Sequence, residues 1–198
     1  RYKHMKRKSI GCSHEMPVQP AFIVGTYNED GTPNFAPITW VSETCEKDED
    51  YLVVISMWGT KMTKQNTLRN RKLSINMVST DMLKLMDYFG QTSGAQGMKA
   101  GIPYTYSAGE YVEVPTLDMS PWVCECEVQR TVNTGESDTF YCRVKNVQID
   151  ERVETDNWGI DLTILNPVIY SGSYHSIGKY LGEIGDFYIK EQNELLCQ

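Results

Sequence analysis

Two stretches late in the chain alternate apolar and charged residues with a period of two, the pattern of β-strands that bury one face. In Trp122 to Val128 (WVCECEV), Cys124, Cys126 and Val128 fall on one side and Glu125 and Glu127 on the other. In Thr139 to Val147, Phe140, Cys142 and Val144 oppose Arg143 and Lys145. Asn133-Thr134-Gly135 supplies turn residues between them, so the two stretches predict a hairpin. On its outer face Glu125 and Glu127 are expected to pair with Arg143 and Lys145, each pair contributing ~0.2–1 kcal/mol. The cysteines then face the core, which favours packing over metal binding for the Cys-x-Cys pair.

The rest of the chain extends this β pattern. Ala21 to Tyr27 (AFIVGTY) is a strand, and Asn28-Glu29-Asp30-Gly31 follows with turn chemistry. Thr32 to Thr44 is extended, but Pro33 and Pro37 suit an edge or a bulge. Tyr51 to Met57 (YLVVISM) is apolar almost throughout, as a strand buried on both faces would be. Thr60 to Arg71 loses the alternation and predicts a short helix, with a strand over Lys72 to Val78. Ser79 is placed to cap a second helix through Phe89, and Gly90 to end it. Gly90 to Asp118 is rich in Gly, Ser, Thr, Tyr and Pro and is expected to be a long loop, functional or disordered. One domain over residues 1–198 accounts for the pattern: mainly antiparallel β, closed as a barrel, with two or three short helices.

Composition narrows the function classes. The net charge of −7 argues against nucleic acid as the main partner. Arg1, Lys3, Lys6, Arg7 and Lys8 form a basic N-terminal arm over about residues 1–12, so the remainder is more acidic still. No apolar run approaches the roughly 20 residues of a membrane span. The basic start is not followed by an apolar segment of signal-peptide type. The expectation is a soluble, cytoplasmic protein. Its six cysteines show no zinc-type spacing and are expected to be mostly buried thiols.

Against this acidic background, Lys61 to Lys72 holds Lys61, Lys64, Arg69, Arg71 and Lys72 and no acidic residue. Lys61 and Lys64 fall at the predicted helix start, where each cation opposes the helix dipole at a cost of roughly 0.3–1 kcal/mol. A bound anion reverses that sign. Backbone N–H groups, the Thr60 and Thr63 hydroxyls and the Lys61 ammonium are together suited to a phosphate. A solvated basic face is the rival reading. Neither GxxxxGK[ST] nor GxGxxG occurs, so any nucleotide here is held without a P-loop or a dinucleotide fingerprint.

The order of signals resembles the flavin reductase-like, or flavoredoxin-like, FMN-binding split-barrel family. The resemblance runs over nearly the whole chain. Pro17-Val18-Gln19-Pro20 leads into Phe22-Ile23-Val24-Gly25-Thr26, and Gly31-Thr32-Pro33-Asn34 into Pro37-Ile38-Thr39-Trp40. Lys61-x-Thr63-x-x-Asn66, Ser74-Ile75-Asn76-Met77-Val78, Gly90-x-x-Ser93-Gly94, Glu125-Cys126-x-Val128 and Tyr174-x-x-Ile177-Gly178 follow in order.

The resemblance implies a six-stranded antiparallel split β-barrel that forms a homodimer with FMN near the interface. It implies that Asn34, Pro37, Thr39 and Trp40 lie along the isoalloxazine. Ser56, Met57 and Trp58 with Lys61, Thr63 and Asn66 would take the ribityl chain and phosphate. Gly90, Ser93 and Lys99 belong to the stretch resembling the loop that closes over the cofactor. Relatives often carry an acidic residue just before the lysine matching Lys99, and this chain has Met98.

The implied activity is hydride transfer from NADH or NADPH to FMN N5, serving a small-molecule or protein acceptor, and it needs no obligatory side-chain acid or base. His175 is the candidate side chain to touch nicotinamide or flavin. An FMN-holding electron carrier without NAD(P)H chemistry is the alternative, and a relative of the pyridoxamine oxidases ranks last.

Overall fold

The computed structural model describes residues 5–12, 16–47, 51–92, 103–155, 159–184 and 186. The chain divides into two units: Pro17–Ile177, and Arg1–Met16 with Gly178–Gln198. In the second unit the described residues form no helix or strand, and residues 5–12 of the basic arm are exposed. The described helices and strands all belong to the first unit.

Its elements are β1 (Gln19–Pro20), β2 (Phe22–Tyr27), β3 (Pro33–Ile38), β4 (Val41–Cys45), β5 (Tyr51–Trp58) and α1 (Met62–Asn70). Then come β6 (Lys72–Met77), α2 (Leu83–Gln91), β7 (Tyr106–Ala108), β8 (Pro115–Leu117), β9 (Trp122–Asn133) and β10 (Ser137–Ile149). α3 (Leu162–Leu165), β11 (Val168–Tyr170) and β12 (Tyr174–Ser176) close the series. Single 3-10 turns lie at Thr80–Met82 and Glu151–Val153.

Seven strands form the main sheet in the order β3-β2-β6-β9-β10-β5-β4, every neighbouring pair antiparallel. Its edges, β3 and β4, are joined by Thr39 and Trp40 alone. So short a link spans at most about 10 Å, which forces the sheet to curl until its two edges meet at that corner. The Ser56 N–H donates to the Trp40 carbonyl at 2.9 Å there. The resemblance implies six strands; the main sheet has seven, and among the described residues no ladder between β3 and β4 closes it. A three-stranded sheet β1-β11-β12 and the hairpin β7-β8 stand beside it.

Alternation puts Phe22, Val24, Ile38, Val53, Ile55, Met57, Leu73, Ile75, Cys124, Cys126, Phe140 and Cys142 in one interior cluster. Ile23, Phe35, Val78, Met82, Leu85, Met86, Phe89 and Leu117 make a second cluster on the other face, under α2. β2 feeds both, which is why its sequence reads as an unbroken apolar run. Pro33 and Pro37 sit on edge strand β3, where a missing N–H breaks no ladder on the open side.

Several sequence expectations change. α2 runs through Gly90 to Gln91, so Gly90 does not end it. The stretch from Gly90 to Asp118 contains the β7-β8 hairpin. Cys12 and Cys45 are exposed, while Cys124, Cys126 and Cys142 are buried free thiols. Burial pushes the Cys142 thiol up to about 12.

The hairpin forms with Cys124, Cys126 and Cys142 inward, but its outer face departs from expectation. Register shifts between Tyr141 and Cys142 and between Val144 and Asn146 set Glu125 opposite Asn146. Glu127 lies 3.8 Å from Lys145, and Arg143 reaches Glu46 at 3.1 Å. Glu125 is wholly buried beneath the turn that joins β7 to β8. Its oxygens accept the N–H groups of Glu110, Tyr111 and Val112 and the side-chain amides of Asn146 and Gln148, at 2.7 to 3.0 Å.

Candidate functional site

Three residues separate the end of β5 from the start of α1. Gly59, at φ +75°, makes the change of direction, an ordinary conformation for glycine alone. Lys61 is the N-cap residue; no side chain caps the helix, and its first turn holds no acidic residue. The first N–H groups of α1 are therefore left without an intrahelical acceptor, the arrangement that favours an anion.

The buried face of α1 is polar. Thr63, Asn66 and Thr67 are buried against β2 and β3, where an amphipathic helix would present apolar residues. Hydrogen bonds replace apolar packing. The Asn34 amide donates to the Thr63 hydroxyl oxygen at 2.7 Å and reaches Thr26 at 3.4 Å. Asn66 donates to Thr26 at 3.1 Å and to Asn28 at 2.8 Å, and Arg69 donates to Asn66 at 2.8 Å. The expected residues Asn34, Thr63 and Asn66 are thus one network. Thr63 accepts within it, which leaves its hydroxyl hydrogen to be donated elsewhere.

The basic run is mostly neutralised locally. Lys64 pairs with Asp138 at 3.1 Å and donates to the Glu136 carbonyl at 3.0 Å. Arg69 meets Glu29 at 3.4 Å, and Lys72 meets Glu113 at 3.7 Å. Arg71, at φ +58°, donates to Thr131 and to the Val128 carbonyl, tying the end of α1 to β9. Lys61 has no carboxylate partner among the described residues. Protein mass around its ammonium pushes its pKa below the usual lysine value, although the residue as a whole stays at the surface. An anion would relieve that partial desolvation.

Trp58 and Trp40 lie beside this corner, 56% and 46% exposed. Ser56 and Trp58 share the outer face of β5, and the Ser56 hydroxyl lies 2.8 Å from that of Thr139. The Trp58 indole N–H donates to Glu136 at 2.9 Å. Met57 points the other way and is fully buried in the interior cluster, so its side chain offers nothing to a ligand. Thr39 occupies the corner between β3 and β4 and is partly exposed.

Pro37 and Gly90 meet on another side of β3, where a Cβ on Gly90 would come within 3.4 Å of the proline ring. His175 is exposed on β12 of the small sheet and lies 2.8 Å from the Ser173 hydroxyl. Ser93 and Lys99 lie outside the described residues. Glu136, Asp138 and Thr139 were not foreseen from sequence; the signal for them was two carboxylates close after Gly135, at the turn and the start of β10, in a chain whose basic run lacks acids.

Comparison with known proteins agrees with this architecture. The family profile for the flavin reductase like domain matches residues 16–178. A search of curated proteins returns no significant match. The flavoredoxin of Desulfovibrio vulgaris (Miyazaki F) superposes with a TM-score of 0.84 at 24% identity, covering 92% of this chain and 99% of that one. The flavoredoxin from Methanosarcina acetivorans gives 0.82 at 20% identity over 92% and 97%. An FMN-binding protein from Thermus thermophilus, solved with 1-cyclohex-2-enone, gives 0.74 at 20% identity over 92% and 99%. The chain belongs to the flavin reductase-like family.

Proposed function

We propose that this protein is an FMN-binding oxidoreductase that uses NADH or NADPH to reduce flavin or a flavin-linked acceptor. One observation carries the FMN half: an uncapped, acid-free helix start, with a Lys61 that is unpaired among the described residues, stands beside the exposed Trp58 and Trp40. A planar ring with an anionic tail matches that combination, since indole faces suit the ring and the helix start suits a phosphate. The FMN-binding relative from Thermus thermophilus supports the same reading.

In this reading Lys61 and the first N–H groups of α1 hold the phosphate. Thr63 and Asn66 keep the helix start in place through Asn34 and Thr26. Ser56 and Thr139 offer hydroxyls to the ribityl chain, and Trp40 and Trp58 flank the ring. FMN bound there supplies a two-electron acceptor for hydride from a nicotinamide. The protein's part is to orient the ring and exclude water from one face. His175 has no neighbour among these residues in chain order or sheet, and contact with the nicotinamide is proposed for it on resemblance alone. We also propose a six-stranded split-barrel core within the sheet and a homodimer that covers Trp40 and Trp58.

The test begins with purified protein. Added FMN should bind stoichiometrically and give a yellow protein that elutes as a dimer. Anaerobic NADH or NADPH should then bleach it. Protein that takes up no FMN overturns the site. A flavin bleached only by an artificial reductant or a redox partner points to the second reading, an electron carrier, which the two flavoredoxin relatives favour.

A further inference from the structure

We propose that Glu136 is a positioning residue that fixes the Trp58 indole for contact with the flavin. The inference rests on the FMN reading of this corner. Trp58 is the last residue of β5 and more than half exposed, and no aromatic ring packs against it among the described residues. A large side chain in that position would ordinarily sample several rotamers. Here its N–H donates to the Glu136 carboxylate at 2.9 Å, a charge-assisted bond.

Glu136 is itself anchored through its backbone. Its carbonyl accepts the Gly59 N–H and the Lys64 ammonium, both at 3.0 Å. Gly135, at φ +89°, gives the turn between β9 and β10 a conformation that presents Glu136 to both. Lys64 is held in turn by Asp138, and Asp138 by Asn133. The turn therefore grips the end of β5 and the start of α1 at once. The Glu136 carboxylate sets the angle of the indole.

The consequence is specific to a ligand with a flat ring and an anionic tail. Trp58 lies three residues before Lys61, so ring wall and phosphate site are fixed relative to each other by one residue. Removing the Glu136 side chain leaves its carbonyl bonds intact and frees only the indole.

The experiment uses the full chain loaded with FMN. Glu136→Ala should weaken FMN binding about three- to tenfold, because an indole no longer held in advance must be ordered on binding. It should also change the visible circular dichroism that the bound flavin acquires from its surroundings, with Tm of the flavin-free protein unchanged. Glu136→Gln keeps an acceptor and should restore most of both signals. Trp58→Phe should reproduce Glu136→Ala, and the double variant should add nothing further. If wild type binds FMN but Glu136→Ala keeps its affinity and dichroism, the positioning role is refuted. Additive losses in the double variant refute it too. A wild type that binds no FMN removes the reading beneath it as well.

Discussion

Lys64 stands 3.1 Å from Asp138 with both side chains nearly buried, and this pairing separates the two lysines at the start of α1. Lys64 answers a carboxylate; Lys61 answers none among the described residues. The two should therefore respond oppositely to substitution. Lys61→Gln removes a cation that opposes the helix dipole, so the flavin-free protein should gain up to about 0.5 kcal/mol. The same change should weaken FMN binding roughly tenfold or more, the cost of a charged hydrogen bond. Lys64→Gln should instead lose about 1–3 kcal/mol of stability, because among the described residues Asp138 then keeps only the Asn133 amide. Thermal unfolding with and without FMN reads both numbers. Equal effects from the two lysines would show that the charge partition is wrong.

The bond from Asn34 to Thr63 makes a second prediction. Thr63→Val keeps the shape and removes the acceptor, leaving the Asn34 amide only the longer contact with Thr26. Asn34 is buried, so the orphaned donor should cost about 1–3 kcal/mol, and Thr63→Ser should cost far less. Urea unfolding of the three proteins decides it. A valine variant as stable as wild type would mean that the polar face of α1 is not held by this network.

Gly25 and Gly31 test backbone approach against backbone conformation. A Cβ on Gly25 would lie 2.3 Å from the Pro115 carbonyl, 2.5 Å from the Ser74 hydroxyl and 2.7 Å from the Phe35 ring. Two of these neighbours are a packed strand and a core ring, neither free to retreat. Gly25→Ala should destabilise by about 3 kcal/mol or more and reduce soluble yield. Gly31 has open space around it but φ +79°, so Gly31→Ala should cost only about 1–2 kcal/mol. Reversed magnitudes in denaturant unfolding would mean that β8 does not pack on β2 as described.

What the sequence made legible were features with a local cause. The period of two fixed the inward face of β9 and β10, and the prolines marked β3 as an edge. Asn28 to Gly31 announced its turn. What stayed hidden depended on partners far along the chain. α1 was recognisable as a helix, but its buried Thr63, Asn66 and Thr67 look like a solvated face until Asn34 and Thr26 are brought beneath them. Lys64 reads as a free cation until the β9-β10 turn delivers Asp138. Glu125 reads as an outward charge because alternation predicts faces and cannot foresee the turn that covers one of them.

That covered carboxylate gives the last prediction, an acid sensitivity. Burial alone would raise the Glu125 pKa, but bonds from Asn146 and from the Tyr111, Val112 and Glu110 N–H groups outweigh it and hold the value below the ordinary one. A carboxylate with a depressed folded-state pKa contributes stability above its unfolded pKa, about 4.3 for glutamate. That contribution is lost as pH falls through the folded value. Asp138 adds in the same direction, its pKa lowered first by the Asn133 amide and then by Lys64. Glu125→Gln places an amide donor among groups that are all donors, so it should cost about 2–3 kcal/mol at neutral pH. It should also flatten the acid limb, since the variant has no proton to gain at that position. Tm measured between about pH 7 and about pH 3.5 should fall more steeply for wild type than for the variant. Parallel curves would show that the turn joining β7 to β8 is not held by the charge on Glu125.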